Sequence, residues 1–423
     1  MTQERQYIWQ LPSWPRFRWD DAALLQLLGH CRFQQGSLLA QMRALGFEDR
    51  QQARAEVLIE EVLKTSEIEG ERLDPRAVRS SVARRLGLRT AGLPWVRNQH
   101  ADGVVEILLD ATQNYEKELT AERLFGWHAA LFPTGHSGLH KIRVAGWRDD
   151  RSGPMRVVSG PIGREKIHYQ AIPAERLDDE MDGFLRWWRE SRQEVDGLLR
   201  AGVAHLWFVA VHPFEDGNGR IARGLTEMAL AQDETLVTRY YSLSSRIMAE
   251  REAYYAILER TNKGDGDITG WMIWFLDCMT RAILQADALL GNVMQKSRFW
   301  QYHAQTGLND RQRKVVNRLL EAGSGGFEGG MTNRKYAGIA HVSRATAQRE
   351  LADLVHKGVL GANPGGGRSA SYNLVLNMKQ SAQNLKNDET VLQDVPVPQV
   401  KRILLPQRIQ RQNIDYETVD SES

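Results

Sequence analysis

The stretch that decides the fold is residues 212–223, HPFEDGNGRIAR, which follows a nearly uninterrupted apolar run over 198–211. A buried helix over 198–211 would deliver His212 at its end. Gly217 and Gly219 allow a tight turn that exposes consecutive backbone N–H groups, and a second helix follows them. Because such a turn at a helix N-terminus binds anions, the sequence predicts a phosphate site here.

The charged side chains of this stretch supply the other parts of a nucleotide site. Arg220 and Arg223 are three residues apart on one face of the second helix, so both can contact one polyphosphate. Asp216 is the carboxylate beside the turn and would hold Mg²⁺ against phosphate oxygens. His212 has the chemistry of a general base. Together these groups predict nucleotidyl or phosphoryl transfer.

Residues 212–223 resemble the signature of the Fic family, His-x-Phe-x-(Asp/Glu)-Gly-Asn-Gly-Arg-x-x-Arg. Every specified position matches, and the matching residues are His212, Phe214, Asp216, Gly217, Asn218, Gly219, Arg220 and Arg223. Taken singly, a histidine after an apolar helix or a Gly-Asn-Gly turn has ordinary structural roles, but the complete pattern is specific. The sequence contains neither GxxxxGK[ST] nor HExxH, which argues against a P-loop or zinc-protease reading.

The resemblance implies a protein adenylyltransferase, which transfers AMP from ATP to a Tyr, Thr or Ser hydroxyl of a target protein or of itself. It implies ATP as substrate, Mg²⁺ as cofactor, His212 as the base and Asp216 as the metal ligand. Phosphotransferase relatives carry Lys in place of the second Gly, so Gly219 favours AMP transfer over that alternative. Another alternative is a DNA-binding regulator whose Fic domain senses nucleotide.

Residues 254–264 resemble the segment that lines the adenine pocket in the family. The residues that would contact the base are Tyr254, Tyr255, Leu258 and Asn262. Aromatic and aliphatic side chains would sandwich the base, and Asn262 could bind its polar edge. An ordinary core helix is the alternative interpretation.

β-Branched residues over Val157–Tyr169, interrupted by Ser159–Gly160–Pro161 and by Gly163, predict a hairpin. It stands at the position of the family's flap, where exposed strand backbone would hold an extended target segment by β-augmentation. The flap residues in contact would be Val157, Val158, Ser159 and Gly160. An ordinary surface hairpin is the alternative.

Residues 65–70, TSEIEG, resemble the family's inhibitory motif, (Ser/Thr)-x-x-x-Glu-(Gly/Asn). The motif residues are Thr65, Glu69 and Gly70. The resemblance implies that Glu69 pairs with Arg223, blocks the place of the γ-phosphate and could also help water to remove AMP. Otherwise a Glu at a helix end is ordinary solvated surface. Glu71 stands where the family often has Asn, which leaves the local hydrogen bonding open.

Helical spacing of Leu, Ile and Val predicts a mainly α fold: a Fic-type helical bundle with a β-hairpin flap, followed by a winged-helix domain. The predicted helices are Ala22–Leu45, Gln51–Ser66, Ala101–Tyr115, Thr120–Leu131, Ala174–Glu190, Leu198–Val211, Ile221–Gln232, Ser245–Thr261 and Ile268–Leu290. Gly46 and Gly70 stand just past the first two helices, where left-handed caps are expected.

Four regions are predicted along the chain. They are an aromatic and helical N-terminal extension over 1–48, a Fic domain over 49–295 with its inhibitory helix at about 55–70, a winged-helix-like domain over 300–377, and a polar tail over 378–423. The tail is rich in polar residues and proline and poor in aromatics, so we expect it to be mobile.

The winged-helix prediction rests on residues 308–375. Helices are expected over Arg311–Ala322, over Thr332–Ala340 with Thr332 as N-cap, and from Ser343, and a hairpin over Val359–Val375 would form the wing. The residues near the start of the third helix that could contact DNA are Arg344, Thr346, Gln348 and Arg349. Because winged helices also bind proteins and dimerise, both DNA and protein partners stay open.

Composition bears on the partners and the cellular compartment of the protein, and not on the reaction. The 55 Lys and Arg nearly balance the 53 Asp and Glu, so global charge indicates neither a nucleic-acid nor a membrane partner. Cys31 and Cys278 form no CxxC, which argues against a disulfide framework or a zinc site and fits a reducing cytoplasm. Without a signal peptide or an 18-residue apolar run, we expect a cytoplasmic protein with no membrane span. The sequence is compatible with a homo-oligomer.

Overall fold

The computed structural model describes residues 7–88, 98–151, 153–159, 164, 166–321, 329–364 and 370–375. The fold is mainly helical, as predicted, with few and short strands. Three predicted features lie outside the described residues: Gly160 of the flap, the turn residue Gly163 and the polar tail over 378–423. None of the helices in the described ranges combines the length and apolarity that crossing a bilayer requires.

Fourteen helices are described, numbered here in chain order. They are α1 (Asp21–Arg43), α2 (Phe47–Ile68), α3 (Pro75–Arg85), α4 (Gln99–Gln113), α5 (Ala121–Leu131), α6 (Leu177–Glu190), α7 (Gly197–Val211), α8 (Asn218–Glu234), α9 (Leu243–Ala249), α10 (Arg251–Asn262), α11 (Thr269–Tyr302), α12 (Asp310–Glu321), α13 (Asn333–Ala340) and α14 (Arg344–His356). Side chains cap several of these helices; for example, the Thr120 hydroxyl accepts from the Arg123 N–H at the start of α5.

The strands form three small antiparallel sheets. They are β1 (His136–Ser137) with β2 (His140–Lys141), β3 (Arg156–Ser159) with β4 (Lys166–Gln170), and a three-stranded sheet in the order β5 (Met331–Thr332), β7 (Ser371–Leu374), β6 (Leu360–Ala362). The β3–β4 pair is the hairpin predicted over Val157–Tyr169, and a register shift lies between Val157 and Val158.

Two helix predictions need correction. Gly46 is not a left-handed cap of α1, because it has φ −63° and is the N-cap of α2, which begins earlier than expected. Gly70 does have the expected positive φ, at 84°. The helix predicted over Ser245–Thr261 is divided at Glu250, whose φ of −116° interrupts it and whose carboxylate is bound by Arg281. Neither Gly nor Pro marks this break in the sequence.

The helix α3 was not predicted, although Asp74 and Pro75 are its N-cap and first residue and form a typical start signal. The helix α11 extends past the predicted end at Leu290 to Tyr302. Buried residues from Tyr7 to Leu290 form one hydrophobic core, and those from Phe299 to Leu360 form a second. The helix α11 contributes to both cores, so it crosses the predicted boundary near residues 295–300.

Residues 7–19, called here the N-terminal strap, lie across the first core. The Trp14 ring packs edge-on against Trp207, and its indole N–H donates to Glu180 at 2.7 Å. Arg18 pairs with Asp267 in a parallel β-bridge. The indole N–H of Trp9 donates to the carbonyl of Gln170, the last residue of β4, at 2.9 Å. The strap therefore contacts the base of the hairpin.

The second core belongs to a C-terminal module built from α12, α13, α14 and the three-stranded sheet. Its helices lie close to the predicted ranges, and Thr332 and Ser343 cap α13 and α14 as expected, accepting from the N–H groups of Lys335 and Thr346. The strands β6 and β7 correspond to the predicted hairpin over Val359–Val375. The winged-helix interpretation of this arrangement stays a prediction.

Candidate active site

The helix α7 is buried along almost its whole length and ends at His212, as predicted from its apolar sequence. His212 takes a left-handed conformation, with φ 53°, that stops the helix and turns the chain toward residues 213–218. A non-glycine residue in this region is uncommon and needs support from its surroundings. Arg148 gives that support, since its Nε donates to the His212 carbonyl at 2.8 Å and its backbone N–H donates to Pro213 O at 2.9 Å.

The imidazole of His212 is oriented by one hydrogen bond. Its Nδ1 lies 3.3 Å from the Val209 carbonyl, which can only accept, so Nδ1 carries the proton and Nε2 keeps a free lone pair. Burial lowers the pKa of His212 to about 4. The ring is therefore neutral at physiological pH, with its basic nitrogen unprotonated, as a general base requires.

Residues 212–218, called here the motif loop, are closed by Asn218. Its side chain accepts from the Phe214 N–H at 2.9 Å and donates to the Phe214 carbonyl at 2.8 Å. Phe214 is fully buried and stacks on His128 with ring centroids 4.2 Å apart. Gly217 has φ 83° and starts α8, and a Cβ there would lie 2.9 Å from the Phe132 ring. The loop thus has one conformation fixed by local contacts.

Gly219 has a different role from the one predicted. It lies in the first turn of α8 and does not take a positive φ, so it makes no turn. A Cβ at this position would lie 2.1 Å from Glu69 Oε1 and 3.2 Å from Arg223 Nη1. Gly219 therefore provides space, at the N-terminus of a helix, for an anionic group that also contacts Arg223.

Asp216 lies beside this helix N-terminus, with a side chain that is 40% exposed. Its Oδ1 accepts from the Gly217 N–H at 2.5 Å, and Oδ2 accepts a hydrogen bond from the Ser137 hydroxyl. His128 Nε2 donates to the Asp216 carbonyl at 3.2 Å, and burial lowers the pKa of His128 to about 4. Among the described residues, no cluster of three or more His, Cys, Asp or Glu could hold a metal ion. Asp216 is the carboxylate of the motif loop that could share an ion with phosphates.

The structure brings Glu69 and Arg223 together. Arg223 Nη2 donates to Glu69 Oε1 at 2.8 Å and to Thr65 O at 2.9 Å, and Nε donates to the Thr65 hydroxyl at 2.6 Å. Burial alone would lower the pKa of Arg223, but the Glu69 carboxylate outweighs it and the pKa is raised. Thr65, Glu69 and the positive-φ residue Gly70 therefore all contribute to the end of α2 that faces Arg223.

Arg220 also meets a carboxylate of the same segment. Its Nη1 donates to Glu71 Oε2 at 2.9 Å, and Asp216 Oδ1 lies 3.7 Å from Nη2. The other Glu71 oxygen lies 3.3 Å from His100 Nδ1. This settles the question that the sequence left open at Glu71. Residues 65–71, called here the 65–71 segment, thus bind both motif arginines.

The four predicted adenine-pocket residues lie on α10 but differ in their surroundings. Tyr254 is 2% exposed, and its hydroxyl lies 2.8 Å from His205 Nε2, so it is a core residue rather than an open wall. Tyr255 is 39% exposed, and its hydroxyl donates to Ile68 O at 3.2 Å. Leu258 and Asn262 are buried, and Asn262 Oδ1 has no hydrogen-bond partner among the described residues.

The hairpin borders the motif loop. A groove of about 520 Å³ lies between the two, and its lining includes Val158 and Ile167 of the hairpin and Glu215 of the motif loop. At the base of the hairpin, the buried Tyr169 donates from its hydroxyl to Ala210 O at 2.6 Å, two residues before His212. The flap residues Val157 and Ser159 pair with Tyr169 and Lys166 respectively.

Several residues of the site were not found from the sequence. Arg148, His128 and Ser137 support the motif loop from segments far along the chain, and no local pattern marks them. The pairing of Glu71 could have been predicted from the sequence. Glu69 and Glu71 are two residues apart and Arg220 and Arg223 are three apart, so each glutamate can pair with one arginine.

Comparison with known proteins agrees with this geometry. The family model described as Fic/DOC family matches residues 118–230, which include the whole motif. The match places a Fic domain over this part of the chain. A second model, described as a domain of unknown function (DUF4172), matches residues 7–88. The N-terminal strap and the 65–71 segment both fall within that second match.

Two curated relatives are named as adenylyltransferases. A protein adenylyltransferase, Fic-1, of Caenorhabditis elegans is 30% identical over 125 residues, 29% of this chain and 23% of the worm protein. A probable protein adenylyltransferase of Aquifex aeolicus is 29% identical over 80 residues, 18% of this chain and 25% of that protein. The chain therefore spans about a quarter of the length of the curated relatives that it matches.

A solved structure shares the fold. The crystal structure of a Fic family protein from Desulfovibrio desulfuricans G20 aligns with a TM-score of 0.51 at 18% identity and covers 84% of this chain and 96% of that one. At this identity the likeness concerns the Fic fold alone.

Proposed function

We propose that this protein transfers AMP from ATP to a hydroxyl side chain of a target protein, or of itself, and that Glu69 inhibits the reaction. The observation that carries the proposal is the convergence of four features at Gly219. They are a helix N-terminus, the Arg223 guanidinium, the Glu69 carboxylate and the motif loop that begins at a neutral His212. A carboxylate already binds where a phosphate would bind.

Unsatisfied donors support a polyphosphate at this position. Arg223 Nη1 and Arg220 Nε are buried and lack hydrogen-bond partners among the described residues. Leaving a buried charged donor unpaired is costly, so these groups suit a ligand that brings its own oxygens. The residues therefore fit ATP, with the γ-phosphate competing with Glu69 for Arg223.

Asp216 would hold the Mg²⁺ ion. Protein sites for this ion commonly use one or two carboxylates and complete the coordination with water and phosphate oxygens. The Asp216 Oδ2 atom is bound only by the rotatable Ser137 hydroxyl among the described residues, so it can be released for an ion. When bound, the metal neutralises charge on the phosphates of the substrate.

The reaction follows from the position of His212. A target hydroxyl lying in the groove beside the motif loop would give its proton to His212 Nε2 as its oxygen attacks the α-phosphorus. The bond between the α-phosphorus and the bridging oxygen breaks, and pyrophosphate leaves. The hairpin backbone would bind the extended target segment, and Asn262 Oδ1 would accept from an amino group of the base.

Glu69 could serve in the reverse direction as well. In that role its carboxylate would orient a water molecule that removes AMP from a modified hydroxyl. The observation that supports this role is its place beside the helix N-terminus, next to Arg223. Release of labelled AMP from a modified protein, present in the parent and absent in Glu69→Gly, is the expected outcome.

A labelling experiment tests the main proposal. Protein incubated with Mg²⁺ and ATP labelled at the α-phosphate should become labelled, whereas ATP labelled at the γ-phosphate should leave it unlabelled. The opposite result would indicate the phosphotransferase alternative. Binding of nucleotide with neither label would indicate a nucleotide sensor.

One observation on the C-terminal module favours DNA as a second partner. Arg344, Gln348 and Arg349 are exposed near the start of α14, and neither arginine has an ion pair among the described residues. Full-length protein should bind duplex DNA with an affinity that falls steeply as salt rises, and Arg344→Ala/Arg349→Ala should weaken it. Equal binding by this variant and the parent would leave a protein-binding role for the module.

A further inference from the structure

The imidazole of His168 connects three segments of the chain that lie outside the motif. Its Nε2 lies 2.6 Å from the Ser159 hydroxyl on β3, and its Nδ1 lies 2.6 Å from Glu259 Oε2 on α10. His168 itself belongs to β4. One side chain therefore bridges both strands of the hairpin and the helix beside them.

The charge of Glu259 fixes the direction of its hydrogen bond with His168. Lys263 and then His168 hold the pKa of Glu259 at about 2, so this carboxylate is ionised and can only accept. Nδ1 of His168 therefore donates to Glu259. A hydrogen bond to an ionised acceptor is stronger than one between neutral groups.

The hairpin has firm anchors at its base. Tyr169 is buried and binds the end of α7, and the Gln170 carbonyl accepts from Trp9 of the strap. Further along, at Ser159 and Lys166, the strands are more exposed, and the His168–Glu259 pair joins this part to α10. Val158 and Ile167, which flank these positions, line the groove beside the motif loop.

We infer that His168 and Glu259 are positioning residues for the protein target: they hold the hairpin edge at the distance from His212 at which an extended segment can bind. The inference rests on the proposed function, because it assigns the groove to a protein acceptor. Neither residue takes part in the proton transfer or contacts the phosphates in the proposed mechanism. Their loss should therefore weaken acceptor binding and leave nucleotide binding and the chemical step intact.

Kinetics with a defined acceptor test the inference. The acceptor is the His212→Ala copy of the full chain, and the enzymes are Glu69→Gly, Glu69→Gly/His168→Phe and Glu69→Gly/Glu259→Ala. Loss of the charge-assisted hydrogen bond should raise KM for the acceptor roughly tenfold. KM for ATP and kcat should stay within about twofold, since the groups that bind phosphate are untouched.

Two further variants separate positioning from general damage. Glu259→Gln keeps an oxygen that can accept from Nδ1, so it should recover most of the acceptor affinity lost in Glu259→Ala. Lys263→Ala removes the other partner of Glu259 and keeps the His168 bond, so it should behave as the parent. An unchanged KM for the acceptor in both His168→Phe and Glu259→Ala would overturn the inference.

Hydrogen exchange tests the link without any activity. Backbone amides of residues 156–159 and 166–170 should exchange about tenfold faster in His168→Phe and Glu259→Ala than in the parent or in Lys263→Ala. If the parent transferred no AMP, the proposed function would be wrong. This measurement would still show whether His168 and Glu259 join the hairpin to α10. Identical exchange in all four proteins would refute it.

Discussion

The motif loop and the 65–71 segment are held in the structure by opposite means. The loop is closed by bonds between residues four apart, from Asn218 to both backbone groups of Phe214. The segment is held through partners about 150 residues away, namely Arg223 for Thr65 and Glu69 and Arg220 for Glu71. Arg223 is 1% exposed, whereas Glu69 is 28% exposed. The loop is therefore fixed by local contacts, whereas the segment depends on its pairing with distant residues.

The largest effect is expected from the loop itself. His212→Ala should lower AMP transfer by about 10²–10⁴-fold, because it removes the general base, and should leave nucleotide binding unchanged. Label incorporation from α-labelled ATP and calorimetric ATP binding would measure the two quantities. His140→Ala, which changes an exposed histidine, is the matched control. Transfer at the parental rate would remove His212 from the mechanism.

A substitution at Glu69 in the 65–71 segment should raise AMP transfer rather than lower it. Glu69→Gly should raise self-modification roughly ten- to a hundredfold, since a hydrogen bond to a charged group of about 1.5–3 kcal/mol no longer competes with the γ-phosphate. Glu67→Gly is the control, because Glu67 pairs with Lys64 near the same helix end. Arg223→Ala should abolish the gain. Equal incorporation by Glu69→Gly and the parent would show that the pair does not inhibit.

The pH dependence of the free energy of unfolding tests the burial of two histidines, His205 and His128. Burial lowers the pKa of His205 to about 3 and that of His128 to about 4, whereas an unfolded histidine titrates near about 6.5. Below that pH the unfolded chain binds protons that the folded chain does not. The free energy of unfolding should therefore fall by roughly 1.4 kcal/mol per pH unit for each histidine as pH drops toward 4.

Denaturant unfolding at pH 7, 6 and 5 would measure this slope. His205→Gln should reduce the slope by about one proton, because the uncharged amide does not titrate. The same slope in this variant would mean that His205 is protonated in the folded protein as well.

The smallest effect is expected at Glu71. Its pair with Arg220 is 30% exposed on the glutamate side, and pairs of this kind contribute about 0.2–1 kcal/mol. Glu71→Gln should therefore tighten ATP binding by no more than about fivefold, and its effect should add to that of Glu69→Gly. Glu106→Gln, at the surface pair with Arg85, is the control. Weaker ATP binding would mean that Glu71 helps to place Arg220 for the substrate.

The contrast between local and long-range contacts also explains which parts of the structure could be predicted from the sequence. The buried helix that ends at His212 and the turn at Gly217 were predicted, because both depend on local residue types. The prediction for Gly219 was wrong, because the reason for glycine there is a distant carboxylate rather than the backbone. Arg148, His128 and Ser137 could not be predicted, since their contacts depend on segments that come together only in the fold. Likewise, the ring of Tyr254 looked like a pocket wall until its partner His205 was known.

The N-terminal strap has a consequence for the order in which the chain folds. The partners of the strap and of the residues that follow it are made much later in synthesis: Trp14 binds Glu180, Asp20 binds Thr269, and α1 packs against α11. Contacts this far apart along the chain form slowly, because closing a long loop costs entropy before any bond compensates for it. The strap and α1 therefore cannot complete these contacts until at least residue 269 has been synthesised. The first core is completed late, and the aromatic strap stays accessible to chaperones in the meantime.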